Sequence, residues 1–161
     1  MNIQLVRIDD RLIHGQVVVG WVTFLSAERI IVINDLLAHD TTQQTLMRMA
    51  VPEKLVVEFM TIEGGAHVFQ KDQSTKKAIL IFSNPLDILT FVKLGCKLET
   101  INVGGMHYCE GKVQICRDIC VTKEEVEAFK KLKSFHINLE IQAVPGDPKE
   151  MLEKYLPEIK L

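Results

Sequence analysis

Apolar and polar positions alternate along the chain between short runs rich in branched residues and longer amphipathic stretches. Residues 3–8 (Ile-Gln-Leu-Val-Arg-Ile) read as a strand that stops at the polar run Asp9-Asp10-Arg11. Residues 15–24 read as a helix, although Val17-Val18-Val19 has poor helical propensity and needs burial to override it. The rhythm repeats with a strand at 29–33, the polar stop Asn34-Asp35 and a helix over 39–50. A third strand at 54–60 leads to a helix over 61–69. The fourth, at 76–82, is nearly apolar throughout, as suits a strand covered on both faces.

Ser83-Asn84-Pro85 then breaks the chain into a helix over 85–94, with Pro85 in its first turn and Gly95 as its stop. A short strand at 100–103 ends at Gly104-Gly105, and 113–121 reads as one or two short strands. Thr122 and Glu125 have the spacing of a capping box opening a helix to about residue 134. Residues 137–144 alternate as a more exposed strand near the sheet edge, Pro145-Gly146-Asp147 turns the chain, and 148–156 reads as a terminal helix. The alternation predicts a single three-layer α/β/α domain over 1–161, with a mainly parallel central sheet and room for an antiparallel edge strand.

In such a sheet, ligands bind beyond the carboxyl ends of the strands. That rule selects Asp9, Asp10, Arg11 and His14 after the first strand, Asn34 and Asp35 after the second, Ser83 and Asn84 after the fourth, and 102–105 after the fifth. Arg11, His14 and Gly15 bring a guanidinium, an imidazole and helix-start N–H groups into one loop, a combination that suits phosphate. An imidazole titrating near about 6.5 is largely neutral at neutral pH and can attack phosphorus without a separate base. Arg11 suits a clamp because its planar fork holds two phosphate oxygens. For Arg7, an ion pair with Asp9 or Asp10 and a role toward ligand are both open.

Charge and composition narrow the field. The 161 residues, 47% apolar, carry a formal charge of −2 from 19 basic and 21 acidic side chains, so no overall field draws in nucleic acid or an anionic membrane. No apolar run approaches the roughly 20 residues of a spanning helix, and the first ten residues lack a secretory pattern, so a cytoplasmic protein is expected. Cys96, Cys109, Cys116 and Cys120 contain no C-x-x-C pair and are expected to be reduced and mostly buried. His107-x-Cys109 with Cys116 and Cys120 matches no common zinc spacing, and no metal is expected. His39, His67 and His136 read as cap, helix-surface and loop residues. There is no dinucleotide fingerprint, Walker A loop or nucleophile elbow. Gly104-Gly105 instead reads as a tight turn or a close backbone approach.

The stretch Arg7-Ile8-Asp9-Asp10-Arg11-Leu12-Ile13-His14-Gly15-Gln16-Val17 resembles the phosphorylation motif of the mannose/fructose/sorbose family of sugar phosphotransferase-system IIB components. Ile101-Asn102-Val103-Gly104-Gly105-Met106-His107 resembles that family's second recognisable segment, and the likeness covers essentially the whole chain. The resemblance implies that His14 accepts a phosphoryl group from a phosphohistidine on a IIA component, at Nδ1, with Arg11 in support and Asp9 orienting the loop. The phosphoryl group would then pass to a sugar held by membrane components IIC and IID, without a cofactor. It further implies a cytoplasmic protein associated peripherally with the transporter, its own oligomeric state being open. A signalling receiver domain is a rival, with Asp9-Asp10 as its magnesium site. It would need an aspartate where the third strand ends in Phe59-Met60-Thr61, and a lysine among 102–105. A non-catalytic IIB-like regulator is a second rival, disfavoured by the intact histidine loop.

Overall fold

A computed structural model of the chain describes residues 1–156. Its main sheet has seven strands in the order β3-β2-β4-β1-β5-β8-β9: β1 Asn2–Asp9, β2 Arg29–Ile33, β3 Val56–Met60, β4 Lys77–Phe82, β5 Thr100–Gly105, β8 Asn138–Ile141 and β9 Glu150–Met151. All neighbours pair parallel except β8 with the edge strand β9. Strands β6 Val113–Cys116 and β7 Ile119–Val121 form a separate antiparallel hairpin after β5. β2 and β4 are buried almost throughout, as their continuous apolar runs require.

Helix α1 begins as a π-helical segment, Gln16–Val22, and finishes as an α-helical turn, Thr23–Leu25. The Val17-Val18-Val19 run thus sits in a widened helix, held by burial of Val17, Val18 and Trp21 rather than by propensity. Helix α2, Thr41–Met49, is capped by Asp40. α3, Ile62–Lys71, is capped by Thr61, and α4, Pro85–Lys93, by Asn84 with Pro85 at its first turn. Gly95 takes φ of +94° after α4, a stop that favours glycine. In α5, Lys123–Ser134, both arms of the Thr122/Glu125 capping box form.

The two apolar cores show which helices cover which face. Val17, Val18, Trp21 and Leu37 pack with Ile30, Val32, Ile79 and Ile81 on one face. Ile62, Ala66, Ile88, Phe91, Phe129 and Leu132 pack with Ile8, Ile31, Leu80 and Val103 on the other. Strand β1 therefore sends its loop to the first face, while the strands on both sides of it, β4 and β5, send theirs to the second. The carboxyl end of β1 lies at the point where the connections diverge, which opens a crevice there.

Two expectations are corrected. Residues 148–156 do not form a terminal helix: Glu150–Met151 pair with Ile141 and Glu140, and a single 3-10 turn, Leu152–Lys154, follows. Burial of Leu152 in the core and the open edge of β8 hold so short a segment more firmly than isolated helix formation could. The cysteines are all free but not mostly buried: Cys96 and Cys120 are, Cys116 is half-buried and Cys109 is exposed. Among the described residues, no helix is long and apolar enough to cross a membrane.

Candidate functional site

Arg7 is the foundation of the site, and it is fully buried at the end of β1. Its Nε and terminal nitrogen donate to Asp9 Oδ2 at 3.2 and 2.8 Å. The other terminal nitrogen donates to Asn102 Oδ1 at 2.5 Å and to the Gln142 carbonyl at 3.1 Å, and a further bond reaches the Ala143 carbonyl at 3.1 Å. The Trp21 ring lies 5.7 Å from the guanidinium carbon, and its indole N–H donates to the same Ala143 carbonyl. With every donor direction engaged, the buried charge is fixed in place.

Asp9 is also fully buried, and it passes that rigidity to the loop. Burial pushes its carboxyl up, but the hydrogen bond with His14 and the Arg7 charge outweigh burial and hold it below the usual carboxylate range. Oδ2 lies 2.9 Å from His14 Nε2. An ionised carboxylate can only accept, so the ring proton sits on Nε2 and the lone pair on Nδ1. The imidazole side chain is 16% exposed, and among the described residues its Nδ1 has no protein hydrogen-bond partner.

Arg11 lies beside it. Its backbone N–H donates to Asp9 Oδ1 at 3.2 Å, and its half-exposed side chain places Nε 3.8 Å from the same oxygen. One terminal nitrogen donates to Gln16 Oε1 at 3.1 Å, which leaves other N–H groups of the fork for an anion. The loop closes tightly: Leu12 N–H donates to the Asp9 carbonyl, and Leu12 itself takes φ of +55°, a conformation that costs a branched residue of order 1–3 kcal/mol. Burial of Leu12 and Ile13 in the first-face core holds it there. Among the described residues, the backbone N–H groups of His14 and Gly15 find no protein acceptor. Gly15 is exposed, with helical φ and open space where a Cβ would lie.

Two glycines of β5 support the same cluster. A Cβ on Gly104 would overlap the Arg7 guanidinium carbon and both terminal nitrogens, so only glycine admits the buried arginine. At Gly105 a Cβ would touch Asp9 Oδ1 and His107 Cε1, each at 3.4 Å. Asp10 donates its N–H to the Gly105 carbonyl, and its two carboxylate oxygens receive the His107 N–H and Nδ1, each at 2.6 Å.

The structure thus brings Arg7, Asp9, Asp10, Arg11, His14 and Gly15 together. Ser83 and Asn84 stand level with Asp9, since Phe82 pairs with Ile8, but their polar atoms are committed elsewhere. Asn84 caps α4, while Ser83 accepts from Asn34 and donates to Asp87, whose carboxyl burial pushes up. Asn34 and Asp35 likewise bond the Leu37 and Ile62 N–H groups. Sequence reading missed Gln142, Ala143 and Trp21 as partners of Arg7, because carbonyls 135 residues away leave no local signal. His107 points to Asp10 rather than to the cysteines. A cavity of about 760 Å³ lies over β1, β5 and β8 and is not lined by His14.

A depressed Asp9 carboxyl contributes stability that is fully present above its unfolded pKa, about 3.9, and lost as pH falls through the folded one. Asp9→Asn leaves Arg7 buried without its counter-charge and is expected to cost about 3–5 kcal/mol near neutral pH. That gap should shrink as pH drops below about 4. Urea unfolding of both proteins across that range measures it, and a gap unchanged at the acid end would mean that Asp9 is not ionised in the folded chain. Asp72 and Glu153 also titrate low, but they are common to both proteins and cancel.

The chain matches the family model for the PTS system sorbose subfamily IIB component over residues 3–160. It is 41% identical over 155 residues to the N-acetylgalactosamine-specific phosphotransferase enzyme IIB component 2 of Escherichia coli (strain K12), covering 96% of this chain and 99% of that protein. It is 38% identical over 150 residues to the mannose-specific EIIAB component of the same strain, covering 92% of this chain and 46% of that longer one. The crystal structure of the IIBSor domain of the sorbose permease from Klebsiella pneumoniae superposes with a TM-score of 0.92 at 34% identity, covering 100% and 99% of the two chains.

Proposed function

Because the chain belongs to the sorbose subfamily of phosphotransferase-system IIB components, whose work is phosphoryl transfer from IIA to an incoming sugar, we propose that His14 is its phosphoryl acceptor, reacting through Nδ1. The observation that carries this is the Asp9 carboxylate on Nε2, which leaves Nδ1 as the one nucleophilic nitrogen. The Nδ1 lone pair attacks phosphorus, and the P–N bond to the IIA histidine breaks with its electron pair returning to that imidazole. The His14 ring becomes cationic as it takes the phosphoryl group, and buried Asp9 balances that charge from the far side. In the second step a sugar hydroxyl oxygen attacks phosphorus, the N–P bond breaks with its electron pair returning to His14 Nδ1, and the hydroxyl proton passes to water. In-line positioning and charge stabilisation are sufficient for both steps.

Arg11 is the clamp on the phosphoryl oxygens, aided by the N–H groups of His14 and Gly15. Arg7 lies too deep to reach phosphate and acts through Asp9. Arg11→Lys is expected to slow transfer about tenfold at saturating IIA with little change in IIA affinity, because a point charge lacks the bidentate fork. Equal single-turnover rates in parent and variant would remove the clamp.

The partners follow from the family: a IIA donor and the membrane components IIC and IID. The mannose relative bears the name EIIAB and is about twice as long as this chain, which fits a IIA surface meeting this site. Exposed Leu36 and Tyr108, after β2 and β5, border the crevice as apolar contacts for a small, transient docking surface. The relatives are named for different sugars, which fits sugar selection in IIC and IID. On this reading residues 1–161 act as one cytoplasmic domain visiting the transporter. Incubation with phospho-IIA followed by mapping of acid-labile phosphate tests the proposal: phosphate on Nδ1 of His14 supports it, and phosphate on any other residue overturns it.

A further inference from the structure

Asp10 poses an electrostatic problem for a phosphoryl acceptor. Among the charged side chains of the loop, Arg7 and Arg11 are balanced by Asp9 and Asp10, so an incoming phosphoryl dianion meets no net positive charge. Asp9 is buried and committed to Arg7 and His14, but the Asp10 side chain is 28% exposed and four residues from the acceptor. A carboxylate of this loop turned toward the transferred group would repel it, and even at surface dielectric such repulsion is worth about tenfold in rate or more.

That carboxylate is not free. A single residue, His107, takes both of its oxygens: the backbone N–H bonds Oδ2 and the ring Nδ1 bonds Oδ1, each at 2.6 Å. The Asp10 N–H is tied to the Gly105 carbonyl at 3.1 Å, so its backbone is anchored to the same strand end. A Cβ on Gly105 would lie in ordinary van der Waals contact with both the His107 ring and Asp9, so the strand end packs closely against both. Gly105 thus lies between Asp9, which holds His14, and His107, which holds Asp10.

We infer that His107 is a positioning residue for phosphoryl transfer, holding the Asp10 carboxylate against the end of β5 so that its charge stays turned from the phosphoryl group on His14. The inference rests on His14 as acceptor. It assigns the end of β5, Gly105 to His107, a task separate from the Arg7 scaffold: one carries the nucleophile, the other restrains a carboxylate that would oppose its phosphorylation.

Single-turnover transfer from phospho-IIA to the full chain tests it. His107→Ala is expected to slow transfer about tenfold at saturating IIA, with melting temperature almost unchanged because the ring is about half exposed. His107→Gln should stay within about threefold of the parent, since its amide can still donate to Oδ1. The decisive variant is Asp10→Asn added to His107→Ala: with the charge gone, the rate should return to that of Asp10→Asn alone. A His107→Ala rate equal to the parent's overturns the inference, as does a double variant no faster than His107→Ala when Asp10→Asn alone retains transfer. Should Asp10→Asn itself lose transfer, the salt response decides, because recovery of His107→Ala as ionic strength rises is the mark of an unscreened carboxylate and its absence refutes one. If the parent carries no phosphate on His14, the acceptor assignment has failed; if the parent is phosphorylated there and His107→Ala matches it, only this inference has.

Discussion

His14→Ala is expected to abolish phosphate incorporation from phospho-IIA while the chain stays folded. The substitution removes the nucleophilic Nδ1, and among the described residues the loop offers no second imidazole held by a buried carboxylate through its other nitrogen. The fold tolerates it because Asp9 keeps two bonds from Arg7 and one from the Arg11 N–H. Losing one hydrogen bond to a charged group should lower stability by about 1–2 kcal/mol. Acid-labile phosphate measured by mass spectrometry, with a urea melt of the same sample, reads both effects. Ordinary incorporation in a folded His14→Ala protein would take this residue out of the mechanism.

Gly104→Ala should have the largest effect on the scaffold, although it changes one hydrogen into a methyl far from any phosphate. The new Cβ would occupy the position of the Arg7 guanidinium, which five acceptor contacts hold in place. Either the guanidinium leaves, stranding Asp9, Asn102 and two carbonyls, or β5 separates from β1. Both routes combine overpacking with rupture of a buried ion pair, and a loss of about 3 kcal/mol or more is expected. Transfer by the remaining folded fraction should fall at least about tenfold, because Asp9 no longer fixes His14. Gly15→Ala supplies the contrast: its Cβ would meet nothing, and stability should move by no more than about 0.5 kcal/mol. A Gly104→Ala protein as stable as the parent would mean that the Arg7 network can relax, and that Gly104 is not required by it.

Much of the fold was written locally. The apolar runs at 29–33 and 76–82, the Thr122/Glu125 box and the Pro85 and Gly95 punctuation each report on backbone within a few residues, and all appear within a residue of where the pattern places them. The one helix misread, over 148–156, lies where the competing partner is distant: β8 offers an edge, and Leu152 a place in the core. The π-helical start of α1 is of the same kind, since the Val17-Val18-Val19 run announces a reluctant helix but not which widened form burial will impose.

The candidate site divides along the same line. By itself the sequence determined that the loop after β1 holds Asp9, Arg11 and His14 at the carboxyl edge of a parallel sheet, and, through its motif, the family and its phosphoryl chemistry. Those follow from residue order and short-range periodicity. Only the tertiary structure decided that Arg7 is a buried support whose partners lie on β5 and after β8, that Gly104 is glycine to admit it, that Asp9 claims Nε2 and leaves Nδ1, that Asn84 caps α4 and that Ser83 bonds Asn34 and Asp87. The physical reason is that hydrogen-bond direction and excluded volume are set by groups as many as 136 residues apart in the chain, and no local pattern carries that information.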